Sequence, residues 1–156
     1  MNIRKPQRAG HRAVLHIDAT PEQVFPLLCP VREVDYARGW HPTLVVSESG
    51  VAEAGCIFTT PADDGESIWV VTAYEPPNRI AFVKVTPGHT VGEIEFTLAP
   101  LPDGTTAASV AYSYTAIGPA GESTVAGFTA EHYAGFMQEM ESEMNHYIRT
   151  GTMLPA

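Results

Sequence analysis

Between Thr43 and Gly118 the chain passes through six β-like segments with no room between them for crossover helices. "TLVVSES" turns at Gly50, "GCIFTTP" turns in "ADDGE", and "SIWVVTAYE" turns at "PPN". "RIAFVKVT" turns at "PGH", "VGEIEFTLAPL" turns at "PDGT", and "TAASVAYSYTAI" ends near "GPAG". Parallel neighbours need a connection of a dozen or more residues, whereas Gly-, Pro- and Asp-rich turns of this length join antiparallel ones. The run therefore predicts an antiparallel meander.

The flanking segments complete the pattern. "HRAVLHIDA" alternates, with Ala13, Leu15 and Ile17 on one face and His16 and Asp18 on the other, which predicts a half-buried first strand and brings the count to seven. In "TPEQ" Thr20 is a good N-cap, Pro21 suits the first helical position, and Gln23 can close a capping box. Val24, Phe25, Leu27 and Leu28 supply an apolar face, but Pro26 deletes a helical hydrogen bond, so a short bent helix ending before Pro30 is expected. "VREVDYA" predicts a second short helix or turn, stopped by Gly39. From Thr129 onward Tyr133, Phe136, Met137, Met140, Met144, Tyr147 and Ile148 recur in steps of three and four, while Glu131, Glu139, Glu143, Asn145 and Arg149 lie off that stripe. This predicts one helix from about Thr129 to Thr150, stopped at Gly151 and roughly 30 Å long. Residues 1–10 read as a loose N-terminal arm and residues 11–156 as one domain.

Charge narrows the partners. Nine basic and eighteen acidic residues give a formal net charge of −9, which argues against nucleic acid, whose binding draws on Lys and Arg. Arg4, Lys5, Arg8 and Arg12 are the only basic concentration and read as a solvated arm. No apolar run approaches the roughly 20 residues of a membrane span, and no apolar segment follows the basic start as in a secretory signal. Cys29 and Cys56 lack metal-type spacing and read as free thiols of a reduced, cytoplasmic protein. Six histidines form no HxH or HExxH pattern, so no metal is expected. The absence of GxSxG, P-loop and GxGxxG motifs disfavours covalent catalysis and nucleotide binding, and no cofactor is expected.

Alternation assigns most strand faces. Lys84 is expected to point to water, which turns Val83 and Val85 inward. Glu93 and Glu95 outside place Ile94, Phe96 and Leu98 inside, and Val110, Tyr112 and Tyr114 share an inward face. Trp69 stays open, because neither Trp69, Val71 and Ala73 nor Ile68, Val70 and Tyr74 is decisively polar. The connection "YARGWHP" crowds Tyr36, Arg38, Trp40 and His41 around Gly39. Its aromatics either plug one end of the core or present ligand-binding surface. His41 is a base, a ligand donor or a capped loop residue, and it heads the catalytic candidates because histidine alone titrates near neutral pH unperturbed. Arg32, Glu33 and Asp35 read as a solvated helical face or as polar groups at a cavity mouth. Met137, Met140 and Met144 form a soft stripe with Tyr133 that suits core or ligand wall.

The order strand, two short helices, six-strand meander, long helix resembles the helix-grip fold of the START-like superfamily, and within it the polyketide cyclase/dehydratase-like SRPBCC proteins. "DATPEQVFPLL", "PVREVDYARGWHP", "WVVTAYEPPNRIAFVKVTPG" and "VAYSYTAIG" carry the resemblance, which covers roughly residues 12 to 151. It implies an α+β domain in which a seven-stranded curved antiparallel sheet wraps the C-terminal helix and leaves an internal cavity. It implies binding of a small apolar or aromatic, polyketide-like or lipid-like molecule there. Cyclase/dehydratase-type catalysis in the same cavity and a chaperone-activator-like interaction module are the alternatives. The ligand-binding residues so implied are Tyr36, Trp40, His41, Trp69, Phe96, Tyr112, Tyr114, Tyr133, Met137 and Met140, with His41 and Asp35 as catalytic candidates. A homodimer stays open.

Overall fold

A computed structural model describes residues 1–156. The elements run β1 (Arg8–Ile17), α1 (Pro21–Val24), a 3-10 turn (Phe25–Leu27), α2 (Pro30–Glu33), β2 (Leu44–Val46), β3 (Ile57–Ala62), β4 (Gly65–Glu75), β5 (Arg79–Thr86), β6 (Thr90–Pro100), β7 (Thr106–Ala116), α3 (Pro119–Gly127) and α4 (Ala130–Thr150). The strands form one sheet in the order β1-β7-β6-β5-β4-β3-β2, every pair antiparallel. Short turns lay β3 to β7 side by side, the longer connection 47–56 leads from β2 to β3, and β1 closes on β7. No helix is long and apolar enough to cross a membrane.

Several boundaries differ from those the sequence suggests. β1 starts at Arg8, because Arg8, Ala9 and Gly10 pair with Thr115, Tyr114 and Ser113, so the sheet takes in residues that the sequence assigns to an arm ending at Gly10. The segment "TLVVSES" contributes only the three residues of β2. The apolar first helix bends at Pro26 as expected, passing from α1 into the 3-10 turn before Pro30 opens α2.

α3 is an addition to the expected elements, since "GPAG" reads as a turn. It forms because Pro119 opens the helix and two glycines let its first turn lie on the β5–β6 hairpin. A Cβ on Gly121 would stand 1.8 Å from the His89 carbonyl oxygen, and one on Gly118 2.1 Å from that of Gly88. Gly121→Ala is expected to destabilise the fold by about 1–3 kcal/mol, the cost of forcing atoms into packed space. Gly135→Ala, on an open face of α4 with nothing within 4 Å, is expected to stabilise by roughly 0.5–1 kcal/mol through helix propensity. Urea unfolding of the two variants checks both signs.

The face of β4 is settled by a β-bulge. Val71 pairs with Phe82 but Ala73 pairs with Ala81, so the register slips at Thr72. Trp69, Val71 and Tyr74 consequently share the concave face, and no uninterrupted alternation could have shown it. The same register corrects β5. Phe82 lies inside against Trp69 and Phe96, and Lys84, two residues on, lies on that side too, with its ammonium 4.8 Å from the Trp69 ring centroid. Val83 and Val85 face outward. Lys84 is tolerated inside because its aliphatic stem packs while its charge rests on aromatic faces.

α4 crosses the concave face. The Thr129 hydroxyl caps it by accepting from the His132 N–H at 3.1 Å, and Gly151 ends it at φ 70°. Tyr133, Met137 and Met144 are buried, as the stripe predicts. Glu143, expected off the stripe, is buried as well, at 7% exposure. The helix is fixed to the edge strand by Asn145, which accepts from the Asp18 N–H at 2.8 Å and donates to the His16 carbonyl at 2.9 Å.

Candidate functional site

α4, the concave sheet face and the 36–42 connection enclose a cavity of about 210 Å³. Twelve of its eighteen lining residues are hydrophobic, which suits an apolar occupant held by a few polar groups. The sheet supplies Phe58, Trp69, Phe82, Ile94, Phe96 and Tyr112; α4 supplies Phe136, Glu139, Met140 and Glu143; α2 and the connection supply Pro30, Glu33 and Tyr36 to Trp40.

The back wall is an aromatic cluster. Phe58 stacks on Trp69 with ring centroids 5.2 Å apart and planes 16° from parallel, while Phe82 meets both rings edge-on at 6.1 Å. Trp40 approaches from the connection, edge-on to Trp69 at 5.7 Å and to Phe58 at 6.1 Å. Such offset and perpendicular arrangements match the positive ring edge to the negative ring face.

This geometry accounts for the crowding in "YARGWHP". The Tyr36 hydroxyl donates to the Leu27 carbonyl at 2.9 Å and the Trp40 indole N–H to the Pro30 carbonyl at 2.8 Å. Arg38 fastens the segment to α4, with Nε 2.8 Å from a Glu143 oxygen and Nη2 2.7 Å from one of Glu139, and Nη1 donates to the Pro155 carbonyl at 3.1 Å. Both carboxylates raise the Arg38 pKa, Glu143 more than Glu139. Gly39, between the latch and the tryptophan, holds φ 76°, a left-handed angle that glycine adopts without strain. The connection is thus a cover, aromatic on the cavity side and pinned by one arginine. Arg38→Ala is expected to speed amide hydrogen exchange across residues 36–42 about tenfold or more while leaving β5–β7 protected, as local opening does when its tie is cut.

Two groups in the cavity carry chemistry. Glu33 lines it without a hydrogen bond or ion pair to protein, and burial pushes its carboxyl up to about 8. The surface it retains lies at the cavity, so partial accessibility and strong desolvation coexist. Tyr112 is raised well above the usual phenol range, by burial first and then by Tyr114 and Glu33. Tyr36 and Tyr133 commit their hydroxyls to backbone carbonyls, Tyr133 to that of Val110 at 2.5 Å, whereas the Tyr112 hydroxyl has no protein partner. An acid that is neutral at pH 7 and a free phenol can donate to an oxygen of a bound molecule.

Of the ligand-binding residues expected from the sequence, Tyr36, Trp40, Trp69, Phe96, Tyr112 and Met140 line the cavity. Tyr133 and Met137 are buried under α4 without lining it, and half-buried Tyr114 packs on Phe128. His41 is exposed and away from the cavity, and Asp35 is exposed in an ion pair with Arg32 at 3.3 Å. Neither is among the residues that line the cavity, and the chain leaves the cavity wall after Trp40. Glu33 takes the place given to Asp35. Its spacing of three from Tyr36 puts both on one helical face, a signal available in the sequence. Arg38, Phe58 and Phe82 are further cavity residues that sequence reasoning missed. No three His, Cys, Asp or Glu side chains cluster as a metal site would need, and Cys29 and Cys56 are buried free thiols.

The sequence profile described as polyketide cyclase / dehydrase and lipid transport matches residues 11–145. No curated protein matches the chain. Among solved structures it is similar to DynU16, a protein in the dynemicin biosynthetic locus, with TM-score 0.61 and 19% identity over 92% of this chain; it spans about half of DynU16, 48%. It is similar to CalU16 from Micromonospora echinospora, with TM-score 0.60 and 17% identity over 95% of this chain and 88% of that one. It is also similar to norcoclaurine synthase from Thalictrum flavum in complex with dopamine and hydroxybenzaldehyde, with TM-score 0.63 and 8% identity over 92% of this chain and 88% of that one. These likenesses establish the helix-grip fold.

Proposed function

The chain belongs to the polyketide cyclase / dehydrase and lipid transport family, and from that premise we propose that it binds a small aromatic molecule in the cavity beneath α4. The observation that carries the reading is the cavity itself, walled by Trp40, Phe58, Trp69 and Phe82 and supplied with two free polar groups, Glu33 and Tyr112. Its size sets the class. An apolar cavity of about 150 Å³ takes up benzene, so 210 Å³ suits one or two fused rings rather than an extended lipid chain or a large polycycle. Glu33 sets the chemistry: as a neutral acid it favours a carbonyl or phenol oxygen on the ligand.

Calorimetric titration with phenols and aryl ketones, 2-acetonaphthone among them, tests this. Saturable one-to-one binding is expected, with the negative heat-capacity change of apolar burial. Ala37→Phe, which places a ring in the cavity, is expected to abolish it. Failure of the whole panel to bind, or binding indifferent to Ala37→Phe, overturns the reading.

Glu33 favours one further reading, ring closure in the same cavity. With a pKa of about 8, the ionised fraction of Glu33 near neutral pH suits a base that removes a proton from carbon beside a carbonyl, and the acid so formed returns it to the oxygen made anionic when the new carbon–carbon bond forms. Catalysis requires that Glu33→Gln keep affinity for a substrate and lose its turnover. Equal turnover in both proteins removes this reading and leaves binding intact.

A further inference from the structure

We propose that Lys84 is an anion-recognition group at the edge of the cavity, taking a carboxylate borne by the aromatic ligand. This rests on the cavity being a ligand site. Register across the sheet places Phe58, Trp69, Lys84, Gly92 and Tyr114 in one row on the concave face. The first two line the cavity; Lys84 lies next in the row, its ammonium 4.8 Å from the centroid of the Trp69 ring that forms the wall.

What surrounds Lys84 sets it apart from the arginines that are held in ion pairs. Arg32, Arg38, Arg79 and Arg149 each sit on a carboxylate within 3.3 Å. Lys84 has no acidic partner, only the faces of Trp69 and, at 5.8 Å, Tyr114. Burial lowers its pKa, with no opposing contribution from an acid. Aromatic faces offset part of the desolvation of an ammonium but supply no hydrogen-bond acceptor for its protons.

The place beside it is taken by the Tyr114 ring. Gly92 has no side chain, and a Cβ there would lie 2.8 Å from the Tyr114 ring and 3.6 Å from the Lys84 Cβ. The absent side chain lets the Tyr114 ring lean across toward the lysine. With eighteen acidic residues against nine basic ones, the protein's overall field repels anions, so uptake of one requires a local cation. The ligand class that follows is an aromatic carboxylate of one or two rings, its neutral oxygen toward Glu33 and Tyr112 and its anionic group toward Lys84.

The test compares 2-naphthoate with 2-acetonaphthone, an anion and a neutral ketone of nearly equal shape, by calorimetry on the wild type, Lys84→Met and Lys84→Arg. Loss of a charge-assisted hydrogen bond in a partly buried site is expected to weaken 2-naphthoate about tenfold or more in Lys84→Met. Binding of 2-acetonaphthone is expected to stay within about twofold, and Lys84→Arg to restore much of the preference, as retained charge dictates. If Lys84→Met weakens both probes equally, or neither, the assignment of Lys84 is overturned while the cavity reading stands. If neither probe binds the wild type, the cavity reading has failed and Lys84 falls with it. Should Lys84→Met fail to fold, the same comparison on Lys84→Gln decides between these outcomes.

Discussion

Glu33→Gln is expected to remove most of the pH dependence of stability between pH 5 and 8. The carboxyl titrates at about 8 in the folded protein against a reference of 4.5. A folded pKa raised above the unfolded one means that the native state holds the extra proton. That stabilisation is complete below pH 4.5 and is lost as pH rises through 8. The limiting slope is about 1.4 kcal/mol per pH unit. Because Glu33 keeps some accessible surface at the cavity, the loss across the window is expected to be roughly 2–4 kcal/mol rather than the full product. Glutamine keeps the shape and cannot ionise, so the variant is expected to match the wild type near pH 5 and exceed it in stability near pH 9. Urea unfolding at a series of pH values reads this directly. Parallel curves for the two proteins would show that Glu33 is solvated and ionised at neutral pH, and would end its role as the neutral acid of the cavity.

The two tryptophans are expected to separate in the opposite sense from their shared chemistry. Trp69 is 7% exposed, stacked on Phe58, and donates its indole N–H to the Thr60 hydroxyl at 2.9 Å. Trp69→Ala is expected to cost about 3–5 kcal/mol, as for a large aromatic removed from a packed core. Trp40 is half-buried, on a connection rather than a strand, and open to the cavity. Trp40→Ala is expected to cost roughly 1–2 kcal/mol, one hydrogen bond and part of an aromatic contact. Affinity for 2-acetonaphthone is expected to fall about tenfold or more, since a wall of the site is gone. A stability loss for Trp40→Ala as large as that for Trp69→Ala would make Trp40 a plug of the core and not part of a cover.

The parts of the fold that depend on local pattern are legible in the sequence. Short turns fix the meander, the step of three and four in Tyr133, Met137 and Met144 fixes α4, and the capping box fixes the start of α1. What escapes depends on one-residue accidents or on distant partners. A bulge at Thr72 reverses the phase of β4, and no composition rule announces it. Lys84 is polar on an inward face because Trp69 and Tyr114 flank it, a fact of register across three strands. α3 is hidden by the glycines that make it fit. In the site, aromatic size points to Tyr36, Trp40, Trp69 and Tyr112, since large rings in odd places are informative in themselves. Glu33 and His41 show the limit: whether an ionisable side chain faces a cavity or solvent follows from how α2 and the 36–42 connection lie against α4, where Arg38 meets Glu139 and Glu143 far along the chain.

Tryptophan emission offers the most direct test of the cavity as a ligand site, because Trp40 and Trp69 are the only tryptophans and both line it. The measurement is a titration of the wild-type protein with 4-iodophenol, a single ring carrying a heavy atom that quenches an indole on contact. Binding in the cavity brings the iodine against both indoles at once. The expected result is quenching that saturates at one equivalent bound and exceeds what the same concentration does to free tryptophan. Quenching that stays linear with concentration and no stronger than for free tryptophan would mean collision from solvent only, and would contradict the account.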